Sequence, residues 1–548
     1  MLNWMRSGAP WVWLTGGAVS FSLLSVLGLL LLIGWKGLTY FWPAPVYQWT
    51  DNQQQKVVGL LYSQDSVPRS QLANLNELTE LYGTLGDSVT RYSIKIANRD
   101  IFPADFISLF GFQLSAATTP SGWAVIDREK DGQFIGKPLA YQLADGSQAF
   151  DIQIATQVGL EQAKALRLQM DSLVAMKIQV IGRQLESLRL DKRKKEFNQK
   201  IDEQYLAQYN QRKTQLDEEF DQAEKQLDQL KNQLNGQSLL VEDMTGGQSA
   251  IPISNVLNIW YPNDMHFGQK VVHWLEQVWL FVSENPRESN SEGGVFPAIF
   301  GTMLLVLIMS VIVMPLGVVA AVYLHEYAKD NGVTRLIRVA VINLAGVPSI
   351  VYGVFGLGFF VYSIGSSIDA LFYAERAPSP TFGTPGLLWS ALTLAVLTLP
   401  VVIVATEEGL TRIPNSVRHG SLALGATQFE TIWRIVLPMA SPAIITGLIL
   451  AIARAAGEVA PLMLVGVVKL ASSLPVDSSF PFIHLERKFM HLGFHIYDVG
   501  FQTSNIEAAR PLVYATSFLL VTVIVALNLT AISIRNNLRE KYRTMGQD

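Results

Sequence analysis

The chain has 548 residues, 49% of them apolar, with a formal net charge of −4 and no cysteine. That length exceeds a single domain, and the lack of cysteine excludes a disulfide framework and thiolate metal sites. The weak negative charge gives no reason to expect nucleic acid as a partner. Charged residues are strongly segregated along the chain, so their distribution carries more information than their number.

Long uncharged runs are the strongest feature of the sequence. Each is long enough to cross a hydrocarbon core of about 30 Å as a helix. A further run, 435–469, is equally apolar but carries Arg454 and Glu458 within it. We therefore predict six membrane crossings rather than the buried core helices of a large soluble protein. The five uninterrupted runs are 7–35, 295–324, 339–368, 377–406 and 511–534.

The first run begins like a secretory signal, with Arg6 in front of an apolar stretch. It is too long for a signal and lacks a convincing cleavage site, so we predict an uncleaved anchor. Basic residues recur in 325–338, 407–434 and 535–548, whereas the short loop 369–385 has only Arg376. By the positive-inside rule, both termini are expected in the cytoplasm and residues 44–294 in the periplasm.

The periplasmic insertion divides into three parts by composition. We predict a β-containing domain at 44–158, a coiled coil at 159–237 and a return segment at 238–294. The β prediction rests on short β-rich runs bounded by turn residues at 56–62, 89–96, 122–127 and 149–155. An amphipathic helix is expected in the return segment, with tryptophans placed for the membrane interface or for packing on the β domain, namely Trp260, Trp274 and Trp279.

The predicted coiled coil lacks proline and spaces its apolar residues by three and four, as in Leu216, Phe220, Ala223 and Leu227. As one helix it would be longer than about 100 Å. A hairpin that folds back near Gly182 or at residues 191–196 is the competing geometry. The arm either binds a partner or acts as a solvated spacer.

Catalytic and cofactor motifs are weak in this sequence. The segment GQFIGKP (132–138) is one residue too short between its glycines for a phosphate-binding loop and ends in Pro138 rather than Ser or Thr. His491 and His495 have i,i+4 spacing, but no third metal ligand is near them in sequence, so a structural role is favoured. We predict that this chain is not an enzyme and binds no metal or cofactor of its own.

The stretch from Thr411 to Pro438 has a more specific pattern. A helix is predicted before Gly425 and another after it, with the glycine permitting the turn and Pro438 ending the second helix. This two-helix element would offer an apolar surface to a partner. Its apolar members are Leu422, Leu424, Phe429, Ile432 and Trp433.

The spacing of this element resembles the EAA loop of ABC-transporter permeases, E-A-A-x3-G-x9-I-x-L-P. Here Gly425 and the Ile435-Val436-Leu437-Pro438 tail match, whereas His419-Gly420-Ser421 stands in place of Glu-Ala-Ala. The resemblance implies that residues 407–438 couple the chain to a partner ATPase, which uses ATP and Mg²⁺. The residues implied in coupling are His419, Gly420, Ser421, Leu424, Gly425, Phe429, Ile435, Leu437 and Pro438.

Flanking segments narrow the resemblance to the A subunit of Pst-type phosphate permeases. They are VVAAVYLHEYA (318–328), NLAGVPSIVYGVFGLGFF (343–360), TEEGLTRIPNSVR (406–418) and LAIARAAGEVAPLM (450–463). The resemblance implies a mainly α, integral membrane fold with a MetI-like six-helix core, here at 1–43 and 295–538, and a short tail at 539–548. It also implies a homologous C-type permease subunit, two B-type ATPase subunits and a periplasmic phosphate-binding protein as partners.

Arg454 and Glu458 are candidates for the substrate pathway. They are four residues apart, which places them one turn apart on one helix face, and ionisable groups within a membrane segment point to function. A guanidinium suits phosphate oxygens, and a carboxylate would repel an anion that lacks a proton, such as sulfate. The alternative is a structural ion pair. Glu407 and Glu408 are weaker pathway candidates at a helix end.

We therefore expect a permease subunit of a phosphate importer. Import of another oxyanion, such as molybdate or sulfate, is one alternative. A membrane scaffold or sensor whose coiled-coil arm binds partners is another.

Overall fold

A computed structural model describes residues 9–68, 87–234, 236–287, 290, 292–503 and 506–544. The chain divides into two compact units, one formed by Met1–Tyr40 with Leu280–Asp548 and the other by Phe41–Trp279. The helices are, in chain order, α1 (Ala9–Thr39), α2 (Ile152–Leu173), α3 (Gln179–Phe197), α4 (Glu203–Leu234), α5 (Phe267–Ser283), α6 (Phe296–Val322), α7 (Gly332–Leu344), α8 (Ser349–Phe355), α9 (Ser366–Phe372), α10 (Leu387–Thr411), α11 (Asn415–Ala423), α12 (Gln428–Thr431), α13 (Leu437–Gly457), α14 (Leu462–Val465), α15 (Leu492–Phe501) and α16 (Ile506–Thr544).

The strands are β1 (Val46–Thr50), β2 (Lys56–Pro68), β3 (Ser88–Lys95), β4 (Phe106–Phe110), β5 (Ala124–Arg128), β6 (Phe134–Gln142), β7 (Ser238–Glu242), β8 (Gln248–Pro252), β9 (Val256–Trp260), β10 (Pro286–Arg287) and β11 (Glu292–Gly293). Four stretches of wider, π-helical turn continue neighbouring helices without a break: Val174–Ile178, Tyr323–Tyr327, Gly356–Gly365 and Ile432–Val436.

Among its described residues, the unit 41–279 forms two antiparallel sheets. One has the order β1-β2-β3-β4 and the other β8-β7-β6-β5-β9. Strands β7 to β9 come from the predicted return segment, yet they complete the second sheet, so that part of 238–294 belongs to the β domain. The fourth predicted β run, 149–155, was wrong because Asp151 caps a helix that starts at Ile152, its side chain accepting hydrogen bonds from the amides of Gln153 and Ile154.

A helical hairpin is inserted between the neighbouring strands β6 and β7. Its first arm is α2 with α3, its second arm is α4, and the chain turns at residues 198–202. The single long helix is therefore excluded, and the turn lies just beyond the predicted positions. Leu216 and Ala223, from the predicted apolar seam, are buried in this unit. The hairpin is adopted because α2 and α3 give α4 an apolar face to cover.

Trp260 lies in β9 and is buried in the β domain, where its ring packs on His273 at 4.8 Å between centroids. Trp279, on α5, is 69% exposed. Packing on the β domain is therefore confirmed for Trp260, whereas a membrane-interface position for Trp274 and Trp279 stays a prediction.

The second unit contains the membrane helices, and the predicted six crossings are confirmed. In the described part of the chain, six helices are long and apolar enough to cross a membrane: Trp11–Thr39, Phe296–Tyr327, Ser349–Phe372, Leu387–Thr411, Gln428–Gly457 and Ala509–Asn537. We refer to them as spans 1 to 6. Span 4 is central, because α10 packs against both α6 and α13 and buries residues such as Leu394.

Three predicted crossings have different bounds in the structure. The run 339–368 is divided, because residues 339–344 belong to α7 and span 3 starts at Ser349 after the helix-breaking sequence Ala-Gly-Val-Pro. The helix that corresponds to the predicted run 377–406 starts ten residues further along the chain, at Leu387. The run 435–469 starts earlier, at Gln428, and its helix ends at Gly457. Apolar composition marks membrane residues but does not mark where a helix breaks.

Candidate functional site

Arg454 lies in the last turn of span 5 and faces the acid predicted to be its partner. Its Nε is 3.5 Å from Oε1 of Glu458, and the two side chains are 32% and 21% exposed. The prediction that both residues share a helix face was wrong, because the helix ends at Gly457 and Glu458 has extended backbone angles. The ion pair therefore spans a helix end, with the arginine in the last helical turn and the acid in the turn that follows.

That turn packs closely on span 3. A Cβ on Gly353 would lie only 2.7 Å from the Cα of Pro461, so only glycine permits this approach. The neighbouring Tyr352 is buried, donates a hydrogen bond from its hydroxyl to the carbonyl of Leu344 at 2.5 Å, and is close enough to Arg454 for an electrostatic interaction. The arginine, the acid and the tyrosine thus form one partly exposed polar group among apolar spans.

Glu407 and Glu408 lie away from this group. Gly447 of span 5 packs beside Ala405 of span 4, and Arg454 is seven residues further along its helix, or about 10 Å in helix rise. Glu407 points to the opposite end and faces Arg338, with Nε and Oε1 3.6 Å apart. Glu408 is exposed. The structure does not bring the two glutamates to Arg454.

The segment between spans 4 and 5 forms the predicted pair of short helices. At the end of α11, the amide of Gly425 donates to the carbonyl of Leu422 and the amide of Ala426 donates to that of Ser421. This is a Schellman cap, and it requires the left-handed backbone found at Gly425, where φ is +89°. Thr427 and Glu430 then cap the start of α12 reciprocally. Local sequence signals therefore define both helix ends.

A buried ion pair anchors this segment to span 2. Nη2 of Arg418 lies 2.8 Å from Oε1 of Glu326, and both side chains are nearly buried. Arg418 also donates to the carbonyls of Ile413 and Leu410, at 2.6 and 2.9 Å. The Ser421 and Thr431 hydroxyls are 2.9 Å apart and join the two short helices. The two short helices α11 and α12 are thus held rigidly against the ends of spans 2 and 4.

An apolar surface remains exposed on the segment anchored in this way. Leu424 is 91% exposed, Phe429 66% and Trp433 64%, and the two aromatic rings stack with centroids 6.2 Å apart. Leu422 is also exposed, whereas Ile432 is buried and so does not belong to this surface. We call Leu422, Leu424, Phe429 and Trp433 the docking patch. His419 and Gly420 are exposed on α11, and Ser421 is buried against Thr431.

The prediction that Pro438 ends the second helix was wrong. The chain stays helical from Gln428 to Gly457, and a π-helical turn at Ile432–Val436 precedes the proline. Proline lacks an amide hydrogen and its ring collides with the carbonyl four residues earlier. The wider turn removes that conflict, so Phe429 and Trp433 of the docking patch lie on the same continuous helix as Arg454.

His491 and His495 are buried beside span 2 rather than arranged around a metal. His491 caps α15, its Nδ1 accepting a hydrogen bond from the amide of Gly493 at 3.1 Å. Burial lowers the pKa of His491 to about 4 and that of His495 to about 4. Among the described residues, no three His, Asp or Glu side chains are grouped to hold a metal ion.

Sequence reasoning missed Glu326 and Arg338 as partners of Arg418 and Glu407. Glu326 lies in the segment 318–328, which resembles the permease family. Nothing in the sequence pairs it with Arg418, which is 92 positions further along the chain. Its position within the last apolar turn of span 2 was the available signal, because a carboxylate there requires a cation.

Comparison with known proteins agrees with this architecture. Residues 313–544 match the family described as "Binding-protein-dependent transport system inner membrane component". The probable ABC transporter permease protein YqgI of Bacillus subtilis (strain 168) is 30% identical over 271 residues, which are 48% of this chain and 86% of the relative. The phosphate transport system permease protein PstA 1 of Mycobacterium tuberculosis (strain CDC 1551 / Oshkosh) is 35% identical over 245 residues, 44% of this chain and 71% of the relative.

Among solved structures, an inward-facing MetNI methionine ABC transporter chain aligns with a TM-score of 0.33 and 19% identity, covering 48% of this chain and 98% of that chain. Membership of a protein family is therefore judged from the sequence relatives and the membrane spans.

The spans and the matched region define a multi-pass inner-membrane permease of the ABC transporter class, a transport subunit rather than an enzyme. Within that class, the chain belongs to the Pst-type permease family with the A subunits, and it carries an additional region in its N-terminal half.

Proposed function

We propose that this chain is a transmembrane subunit of an ATP-driven importer of inorganic phosphate. The observation that carries the substrate class is Arg454, a partly exposed guanidinium in the last turn of a membrane span, where the only acid paired with it among the described residues is Glu458. An arginine matches the paired oxygens of phosphate, and several relatives are named phosphate permeases.

In this proposal Glu458 holds Arg454 in place before substrate arrives. Phosphate then displaces the carboxylate from the guanidinium, and a protonated phosphate oxygen donates a hydrogen bond to Glu458. Sulfate has no such proton at neutral pH and is repelled. The helix end between the two residues supports this step, because Glu458 has extended backbone angles and lies outside the helix that holds Arg454.

The docking patch receives an ATPase subunit in the cytoplasm. Its exposed leucines and stacked aromatics fit a groove on a partner, and the Arg418–Glu326 anchor transmits the partner's movement to spans 2, 4 and 5. His419 replaces the acidic residue of the family pattern, so the apolar contacts supply most of the docking energy. ATP and Mg²⁺ are used by the partner.

The complete transporter would contain a homologous C-type permease, two B-type ATPase subunits and a periplasmic phosphate-binding protein. Both termini and the docking patch lie in the cytoplasm, and the insertion lies in the periplasm, consistent with the basic residues near the docking patch. Residues 407–438 act as the coupling element, and Arg454 and Glu458 contribute to the substrate pathway.

Uptake of radiolabelled phosphate by the reconstituted complex tests this function. We expect uptake to depend on ATP. Excess unlabelled phosphate is expected to suppress it, and excess sulfate or molybdate is not. Suppression by sulfate or molybdate at equal concentration would assign another oxyanion. Purification of the chain without any ATPase, combined with absent uptake, would support a scaffold or sensor instead.

A further inference from the structure

The helix α7 presents an apolar stripe away from the protein. Two hydrogen bonds hold one face of α7 against the protein. The Thr334 hydroxyl donates to the carbonyl of Lys329 at 2.8 Å, and Nη2 of Arg338 donates to the carbonyl of Leu324 at 2.8 Å. Val341, on the same face, packs with residues of spans 2 and 4. Because these three residues are spaced i, i+4 and i+7, they fix the rotation of α7 about its axis.

With that rotation fixed, a flank of α7 next to the anchored face is apolar and uncovered. Val333 is 66% exposed, Leu336 69% and Ile337 40%. They continue through Ala340 to Leu344 at intervals of three and four residues, which places all five on one side of the helix. We call Val333, Leu336, Ile337, Ala340 and Leu344 the α7 stripe.

The position of α7 along the chain determines what can cover this stripe. The helix joins the end of span 2 at Tyr327 to the start of span 3 at Ser349, so it lies at the membrane surface. Its 13 residues rise about 20 Å, too little to cross a hydrocarbon core of about 30 Å. Spans 3 and 4 separate α7 from the docking patch, so the two are on the same side of the membrane.

Polar and aromatic residues around α7 match the lipid headgroup region. Lys329 and Arg335 are exposed beside the stripe, and Arg335 is 75% exposed with only a 3.8 Å contact to Asp330. Tyr323 and Tyr327 are exposed at the adjoining end of span 2, where aromatic residues favour the membrane interface. Basic side chains above an apolar stripe are the pattern of a helix that lies in the interface plane.

We propose that α7 is an interfacial helix whose stripe inserts into the boundary between headgroups and acyl chains, with Lys329 and Arg335 contacting phospholipid phosphates. The hydrogen bond from Tyr352 to the carbonyl of Leu344, at 2.5 Å, ties the end of α7 to the residue beside Arg454. The interfacial helix thereby fixes the start of span 3, and the membrane surface itself becomes a support for the polar group at Arg454.

Single cysteines test this proposal because the chain has none of its own, and labelling the complex that contains the unsubstituted chain gives the background from the other subunits. Spin labels are attached at Val333→Cys, Leu336→Cys, Ile337→Cys and Arg335→Cys in the full chain, purified with its copurifying subunits and reconstituted in phosphatidylethanolamine and phosphatidylglycerol vesicles. Collision rates with oxygen, which concentrates in lipid, and with a water-soluble nickel chelate are measured. Leu24→Cys, exposed in span 1, gives the lipid reference, and Leu424→Cys, measured on the chain without its partners, gives the aqueous one.

Labels at 333, 336 and 337 are expected to collide more with oxygen than with nickel, as at Leu24, and the label at 335 is expected to show the reverse order. Nickel access at all four positions, as at Leu424, would overturn the proposal by placing α7 in water. Low access to both reagents at 333, 336 and 337 would also overturn it, because a protein subunit would then cover the stripe. Neither result bears on whether phosphate is the substrate.

Discussion

Nη2 of Arg418 lies 2.8 Å from Oε1 of Glu326, and this pair links the segment between spans 4 and 5 to the end of span 2. The guanidinium also caps the carbonyls of Leu410 and Ile413. One side chain therefore connects α11 to the neighbouring end of span 4 and to span 2, whose Glu326 is 92 positions away in the sequence. In the coupling proposed above, a movement imposed on the docking patch would reach the spans through this contact.

Replacement of Arg418 by Met is expected to separate assembly from transport. Removing one partner of a nearly buried ion pair leaves an uncompensated charge and costs about 3–5 kcal/mol. We expect a lower thermal unfolding midpoint and loss of ATP-driven uptake. Arg418→Met combined with Glu326→Met is expected to recover much of the stability but not the uptake. An Arg418→Met protein with normal stability and uptake would contradict the anchoring role.

Two glycines five residues apart, Gly420 and Gly425, are expected to respond oppositely to replacement by alanine. Gly425 has φ of +89° and open space around it, so Gly425→Ala is strained by the backbone alone and costs about 1–2 kcal/mol. Gly420 lies within α11 with equally open space, so Gly420→Ala is expected to stabilise by about 1 kcal/mol. The thermal midpoints of the two variants check this difference. Equal midpoints would show that the cap at Gly425 does not limit stability.

Truncation of the docking patch is expected to weaken ATPase binding. Trp433→Ala removes an exposed, stacked aromatic, and such a residue at an interface contributes about 2 kcal/mol or more, or roughly 30-fold in affinity. Trp35→Ala is the matched control, because Trp35 is 72% exposed at the far end of span 1, on the other side of the membrane. Titration of the purified ATPase measures both. Equal affinities would remove the patch from the interface.

Substitution of Arg454 tests the substrate pathway. Arg454→Gln is expected to abolish phosphate uptake while the complex still assembles, since two charge-assisted hydrogen bonds of about 1.5–3 kcal/mol each are lost, or roughly 100-fold or more. Arg454→Lys is expected to retain partial uptake. Glu458→Gln is expected to let sulfate compete with phosphate. Uptake by Arg454→Gln at the original rate would defeat the assignment.

The buried histidines predict an acid-sensitive stability. An unfolded chain protonates histidine near pH 6.5, whereas the folded protein does so only near pH 4 at His491 and His495. Stability is therefore unaffected above pH 7 and falls as the pH drops from about 6.5 to 4, by about 3 kcal/mol for each histidine.

Thermal unfolding in detergent across this pH range checks that prediction. His495→Gln is expected to reduce the loss, and His419→Gln, at an exposed position, is expected to leave it unchanged. A loss of the same size in both variants would assign the acid sensitivity to other groups.

Much of the membrane unit was predictable because a lipid bilayer imposes a simple rule on sequence. Spans need about 20 apolar residues. Five of the six were found from charge-free runs and the sixth from an apolar run that carries only Arg454 and Glu458. The capping signals around Gly425 were also readable, since Schellman and capping-box motifs depend on residues within a few positions of one another.

Three features of the spans could not be predicted from apolar runs or capping motifs. They are the helix end at Glu458, the continuous helix through Pro438 and the division of the predicted third crossing. The first two outcomes depend on the surrounding structure. Span 3 packs on the turn at Pro461, and the π-helical turn at Ile432–Val436 accommodates Pro438 within the helix. Apolar periodicity is the same on both sides of such a break, so composition cannot locate it.

The sequence by itself determined the number of spans, the local hairpin at Gly425 and the spacing between Arg454 and Glu458, because each depends on residues close together in the chain. Tertiary structure alone decided that Glu326 pairs with Arg418, that Glu407 turns to Arg338, and that the α7 stripe faces outward. These pairings join residues tens of positions apart, and their partners are selected by how the spans pack.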